Sequence, residues 1–228
     1  MMKLESLLLN NNTGFILGLT GSIAMGKTTV SNMFRDLGVQ VWCADNEVNE
    51  LYKKNGAATK VFSKEFPSVV TKTGVDKKKL RTLIHKDNAI LKKIERIVHP
   101  LLEYSKVDFI RSNKAQPLII FDIPLLFEKK QESNFDAVLV VTASEFTQKK
   151  RVLSRRNIKE KDFQLIKRNQ MNEQEKIKRA DFLINTDKSL QETKQDAHGY
   201  HQCSRKGSQH AFIDHAEYQQ RNFWKLVK

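Results

Sequence analysis

Hydrophobic residues in this 228-residue chain gather into short, nearly continuous runs at 15–19 (FILGL), 39–43 (VQVWC), 118–121 (LIIF), 137–141 (AVLVV) and 182–184 (FLI). Runs of this kind separated by helical patterns predict strands buried on both faces, and hence a parallel sheet covered by helices. The stretches 28–37 and 47–53 are predicted helices. A longer helical stretch is predicted from Asp76 to about Asn113, where Ile90, Leu91, Ile94, Ile97, Val98, Leu101 and Leu102 recur as one buried stripe. Pro100 interrupts that stripe, so the helix is expected to kink or restart near His99. Five strands with right-handed crossovers give an α/β fold, a three-layer sandwich around a five-stranded parallel sheet. From about Asp196 neither period persists, and an atypical tail over 196–228 is expected. No internal repeat is present.

Directly behind the first run stands Gly21-Ser22-Ile23-Ala24-Met25-Gly26-Lys27-Thr28, a G-x-x-x-x-G-K-T string between a predicted strand and a predicted helix. In that context it is a phosphate-binding loop, or P-loop. The glycines let the backbone turn tightly so that N–H groups face phosphate oxygens. Lys27 reaches the β and γ phosphates, and Thr28 offers its hydroxyl to Mg²⁺. The helix starting near Lys27 adds its positive end. ATP is therefore expected at Ala24, Met25, Gly26, Lys27, Thr28 and Thr29, with Mg²⁺ beside Thr28. Lys27 is expected on a rim that needs no core packing.

Composition narrows the class. The chain carries 40 Lys plus Arg against 26 Asp plus Glu, a net charge of +14, which favours polyanionic partners such as nucleotide phosphates. The basic residues come as scattered pairs and triplets, such as Lys77-Lys78-Lys79 and Lys149-Lys150, without interleaved aromatics, so nucleic acid is not an expected partner. There is no apolar run of about 18 residues to span a membrane, and residues 4–9 are too short for a signal peptide's apolar core. Cys43 and Cys203 form no metal-type pair, which fits a reducing compartment, and the cytoplasm is the expected location. In the tail, His198, His201 and Cys203 could ligate a metal or belong to an unstructured segment; their spacing matches no zinc pattern.

Three further groups could carry chemistry. Leu118-Ile119-Ile120-Phe121-Asp122 is a strand ending in an acid; beside a phosphate loop Asp122 can hold Mg²⁺ or orient an acceptor, or it can simply cap the strand. Asp45, after the second strand, should emerge at the carboxyl edge of the sheet, where open α/β folds bind ligands. There it could accept a hydroxyl proton during phosphoryl transfer or serve as the N-cap of a helix beginning at Asn46 or Glu47. Arg151 and Arg155 lie four apart on one predicted helix face, as a phosphoryl clamp in a closing lid or as an exposed basic face.

The order of these pieces resembles the dephospho-CoA kinase family. The residues that carry the resemblance are the loop over 18–29, Ala44-Asp45, His99-Pro100-Leu101, Asp122-Ile123-Pro124-Leu125-Leu126-Phe127-Glu128, the basic segment around Arg151, Gln170, and Ala180-Asp181-Phe182-Leu183-Ile184-Asn185. The resemblance implies a P-loop kinase-like sandwich over 14–195, preceded by an N-terminal extension over 1–13. Within it a helical acceptor-binding region is expected at about 60–115 and a lid at about 145–178. It implies transfer of the ATP γ-phosphoryl to the ribose 3′-hydroxyl of dephospho-CoA. Asp45 is then the candidate base, with Lys27 and Arg151 as catalytic partners. His99, Leu125, Leu126 and Glu128 lie toward the acceptor, and Thr28 and Asp122 toward the metal. The family usually has Asp where this chain has Cys43, glycine and serine where it has Ala24 and Met25, and proline where it has Asn172. Ala24 is accordingly expected at negative φ, because a Cβ penalises the left-handed region. Rival readings are another P-loop nucleoside or nucleotide kinase, a regulatory GTPase, which lacks its Asn-Lys-x-Asp signature here, and a basic nucleic-acid-binding NTPase.

Overall fold

A computed structural model describes residues 14–155 and 159–205. In chain order the elements are β1 (Phe15–Thr20), α1 (Lys27–Asp36), β2 (Gln40–Cys43), α2 (Ala44–Tyr52), α3 (Ala57–Glu65), β3 (Val70–Thr71), β4 (Gly74–Val75), α4 (Lys77–Lys86) and α5 (Asn88–Ser112). They continue with β5 (Leu118–Asp122), β6 (Ala137–Thr142), α6 (Glu145–Leu153), α7 (Glu160–Arg168), α8 (Glu173–Arg179), β7 (Phe182–Asn185) and α9 (Leu190–Arg205). Two compact units result, one spanning 43–112 and the other made of the described residues before and after it.

The sheet unit is the predicted one. Its five strands run in the order β2-β5-β1-β6-β7, and β1 pairs in parallel with β5 on one side and β6 on the other. The register sets Leu19 opposite Asp122, so the acid closing β5 is level with the end of β1, where the phosphate loop begins. Leu17, Leu19, Ile120, Leu139, Val141 and Ile184 from the strands are buried with Val30 and Phe34 of α1. Burying each such side chain contributes about 1.5–3 kcal/mol before entropy is subtracted.

The last described helix corrects the expected tail. Residues 196–205 continue α9, and its Ala197 and Tyr200 are fully buried in the sheet core. The Tyr200 ring lies 5.3 Å from that of Phe182, and its hydroxyl donates to the Leu183 carbonyl at 3.1 Å. Thr193, Ala197 and Tyr200 form the inward stripe; with one large apolar member, it is too thin to stand out in the sequence. Among the described residues no group of three or more His, Cys, Asp or Glu is gathered to hold a metal, so ligation by His198, His201 and Cys203 is not what α9 provides. Residues 1–13 and 206–228 of the expected extension and tail lie outside the described residues.

The helical unit holds α2–α5 and the small antiparallel pair β3–β4 around Ala58, Phe62, Phe66, Val69, Leu80, Ile94 and Val98. The predicted stripe on α5 is buried or half-buried except Leu91, which is exposed. The helical stretch breaks at Asp87, not near His99: α5 runs from Asn88 to Ser112 with Pro100 inside it. Side-chain caps set these boundaries. Asp76 accepts from the N–H groups of Lys78 and Lys79 to start α4, and Asp87 accepts from Ala89 N at 2.8 Å to start the next helix.

Candidate active site

The loop after β1 ends in Gly26, whose φ of 95° initiates α1. A Cβ there would lie 3.0 Å from the Thr186 side chain, so both backbone and space require glycine. No side chain caps α1 and no acid stands in its first turn, leaving its unpaired N–H groups and positive end available to an anion. Thr28 and Thr29 are exposed. Ala24 departs from expectation: its φ is +61°. The loop geometry demands a left-handed residue there whichever side chain fills it, at a cost of about 1–2 kcal/mol for a residue with a Cβ.

What holds Ala24 there is a set of side chains from the later part of the sequence. Gln148 Nε2 donates to the Ile23 carbonyl at 2.9 Å, and Gln170 Oε1 accepts from Ile23 N at 3.0 Å. The Ser22 hydroxyl donates to Glu173 at 2.7 Å, and Thr186 Oγ1 donates to the Met25 carbonyl at 2.8 Å. Ala24 itself is buried with Val152 of α6 and Phe163 of α7.

Lys27 is paired with Asp122. Asp122 is only 3% exposed and the Lys27 side chain 13%, so Lys27 sits deeper than a rim, holding a buried carboxylate that would be costly alone. Of the two residues expected at a metal, Thr28 is exposed, with no hydrogen-bond partner for its hydroxyl among the described residues, and Asp122 is engaged by Lys27. Arg151 also differs from a waiting clamp. Its guanidinium donates to Thr186 Oγ1 at 2.8 Å and to the Thr186 carbonyl at 2.7 Å, with the Ala24 carbonyl at 3.5 Å. Arg155 is exposed.

The segment after β5 corrects two acceptor assignments. Leu126 is fully buried, packed where a Cβ on Gly18 would come within 2.8 Å of its Cδ1, and so presents no face to a ligand. Glu128 accepts from Met171 N at 2.7 Å and pairs with the fully buried Lys176 at 2.9 Å. Burial would push the Glu128 carboxyl up, but Lys176 and the Met171 N–H hold it below the usual range. This carboxylate ties α8 to the segment after β5. Leu125 is 37% exposed and open to a ligand.

In the helical unit, Asp45 stands in the first turn of α2, which begins at Ala44 with Cys43 as N-cap. The N-cap alternative for Asp45 therefore does not hold. Asp45 is exposed with no hydrogen-bond partner among the described residues. His99 is exposed on α5 and is not a core histidine.

A cavity of about 610 Å³ opens beside the loop, lined among others by Ser22, Met25, Gln148, Gln170, Glu173 and Asp187. That volume suits a small-molecule ligand. Across its lining, Lys167 pairs with Glu145, while Asp187 accepts from Ser144 N at 2.6 Å and its hydroxyl at 3.0 Å. Thr186, Gln148, Glu173 and Lys176 were missed in the sequence: each works through main-chain or buried contacts that no motif records. Gln170 stood in the resemblance without a role.

An uncapped helix behind a glycine-lysine loop, level with a buried acid on the neighbouring parallel strand, defines a P-loop phosphotransferase fold. The dephospho-CoA kinase family profile matches residues 15–192. A protein named dephospho-CoA kinase from Jannaschia sp. is 45% identical over 182 residues, covering 80% of this chain and 93% of the relative. One of the same name from Bartonella quintana is 41% identical, covering 79% and 93%. A solved Thermus thermophilus protein superposes with a TM-score of 0.69 at 30% identity over 79% of this chain and 93% of that one. The dephospho-CoA kinase of Campylobacter jejuni, at 23% identity over 84% and 97%, shares the fold with a TM-score of 0.59. This chain belongs to the dephospho-CoA kinase family.

Proposed function

We propose that this chain is an ATP-dependent kinase that phosphorylates the ribose 3′-hydroxyl of dephospho-CoA, giving CoA and ADP. The observation that carries the reading is the uncapped start of α1 behind the loop at 21–28, within the 15–192 span of the family match. Phosphoryl transfer asks the protein for positioning and charge stabilisation more than for covalent chemistry. The first N–H groups of α1 and the loop hold the triphosphate. Lys27 neutralises charge growing on the β–γ bridge, exchanging part of its hold on Asp122 for phosphate oxygens. Asp45 accepts or orients the acceptor hydroxyl, and His99 and Leu125 bind the acceptor. Arg151 supports the loop through Thr186 and Ala24, and stabilises transferring charge only if it releases Thr186.

Mg²⁺ fits the donors present, the exposed Thr28 hydroxyl and the Asp122 carboxylate, which Lys27 would release in part, since this ion typically takes one or two protein oxygens and completes its shell with phosphates and water. When bound it supplies charge neutralisation across the β and γ phosphates. Among the described residues no helix is long and apolar enough to cross a membrane, and we place the enzyme in the cytoplasm. The test is an ADP-release assay with ATP and Mg²⁺ across a panel of alcohol acceptors. Turnover is expected with dephospho-CoA and should be at least tenfold slower with nucleosides and nucleotides; preference for one of those would replace this acceptor.

A further inference from the structure

We propose that Gln148 and Gln170 are positioning residues that fix the phosphate loop in its nucleotide-ready shape by gripping both main-chain polar groups of Ile23. The proposal deepens the reading above, because it rests on this loop taking ATP.

The grip is complementary. Gln148, 3% exposed on α6, donates its amide N–H to the Ile23 carbonyl. Gln170, between α7 and α8, accepts the Ile23 N–H on its amide oxygen. These bonds fix the peptides on either side of Ile23, the second of which leads into Ala24, the one loop residue with a Cβ that is held at positive φ. A main chain held in a sparsely populated region persists only when its surroundings over-determine it. Here they do: Glu173, the two glutamines, Arg151 and Thr186 anchor residues 22, 23, 24 and 25 in succession.

The chemistry of the amide suits the place. It offers a donor and an acceptor without charge, so two such groups can brace a loop that must receive phosphates without repelling them. Both glutamines also line the 610 Å³ cavity beside the loop. A ligand filling that cavity therefore meets the same side chains that set the loop, and its binding and the loop's shape are linked.

The two hydrogen bonds run in opposite directions, which gives a test that separates positioning from packing. Gln170→Glu keeps the accepting oxygen, whereas Gln148→Glu sets a carboxylate oxygen against the Ile23 carbonyl. Both add the same charge near the loop, so the difference between them reads the hydrogen bond. Gln148→Met and Gln170→Met remove the bonds at similar volume. ATP affinity is measured by calorimetry without acceptor, alongside KM for ATP, KM for dephospho-CoA and the melting temperature.

Each Met variant should weaken ATP binding about tenfold, the effect of one net hydrogen bond, and raise KM for ATP while leaving that for dephospho-CoA within twofold. Gln170→Glu should bind ATP at least fivefold more tightly than Gln148→Glu. Equal ATP affinities for the two Glu variants, or wild-type ATP affinity in the Met variants whatever their melting temperatures, would overturn the proposal. A wild-type protein that binds ATP but phosphorylates no dephospho-CoA would remove the acceptor reading alone, leaving the affinity comparison intact. A wild-type protein that binds no ATP would overturn both.

Discussion

The two units treat their candidate functional groups in opposite ways. In the sheet unit almost every group near the loop already has a partner: Lys27 with Asp122, Arg151 with Thr186, Glu173 with Ser22, Glu128 with Lys176. In the helical unit Asp45 and His99 are exposed, and neither has a partner among the described residues. The cores differ in the same sense. The sheet cluster consists mainly of fully buried residues, while the helical cluster has more half-buried members than buried ones. A phosphate site built from fixed dipoles and paired charges has its reorganisation cost settled during folding. Groups left in water can be changed with little effect on stability, so their loss should register in turnover or substrate affinity alone.

The largest expected effect tests the paired side. Lys27→Ala should lower kcat by at least about 10²–10³, the range for removing one electrostatic stabiliser. It should also lower the melting temperature, since it strands the buried Asp122 carboxylate, and breaking a buried pair costs about 3–5 kcal/mol. Adding Asp122→Asn should recover most of the lost melting temperature and none of the turnover. Unchanged stability in the single variant would mean that the pair is no more than a surface contact.

On the open side, Asp45→Asn should depress kcat by about 10²–10⁴ if Asp45 acts as general base, with the melting temperature and ATP affinity unchanged. A loss at the low end fits a loose transition state that needs little early proton removal. Turnover within threefold of wild type at saturating substrates would shift the role to Asp122. Smaller still, His99→Ala should raise KM for dephospho-CoA about tenfold, as expected for one hydrogen bond to a charged group, and leave KM for ATP alone. Equal changes in both would place His99 outside the acceptor site.

The smallest effect concerns strain. Ala24→Gly relieves the left-handed penalty of about 1–2 kcal/mol but adds the unfolded-state freedom of glycine, about 0.5–1 kcal/mol. The net gain should lie between about 0 and 1.5 kcal/mol, read as a small rise in melting temperature. A fall would mean that the side-chain anchors have made the alanine conformation nearly free of strain. Acid titration sharpens the same side of the comparison. Glu128 sits below the ordinary carboxylate range, so it binds its proton less readily folded than unfolded. The stability it adds is present above the unfolded pKa of about 4.3 and fades as pH falls through its lower folded value. Glu128→Gln should flatten that part of the acid-denaturation curve.

Strands, loop and sheet class were legible because apolar runs and G-x-x-x-x-G-K-T report local requirements. Asp122 was legible as a strand-end acid, but not its pairing with Lys27, which depends on the Leu19–Asp122 register. The helix break went to Pro100 on covalent grounds, whereas capping by Asp87 decided it. Leu126 and Glu128 lay within a recognisable string, yet sequence order did not tell which side chains turn inward. Ala24 shows the converse case: the backbone of the loop imposed its φ on a residue that disfavours it.

The burial of Tyr200 bears on how the chain is made. Strand β1 precedes every other described strand in the chain but lies between β5 and β6, and the core over it is completed by Ala197 and Tyr200. On a ribosome, β1 emerges early and waits for partners more than a hundred residues downstream. The helical unit, continuous from 43 to 112, can meanwhile close on itself through contacts of shorter range. The nascent sheet thus stays exposed until residues 118–200 have been made, which makes it the part of this fold most dependent on chaperones and most open to aggregation while the chain grows.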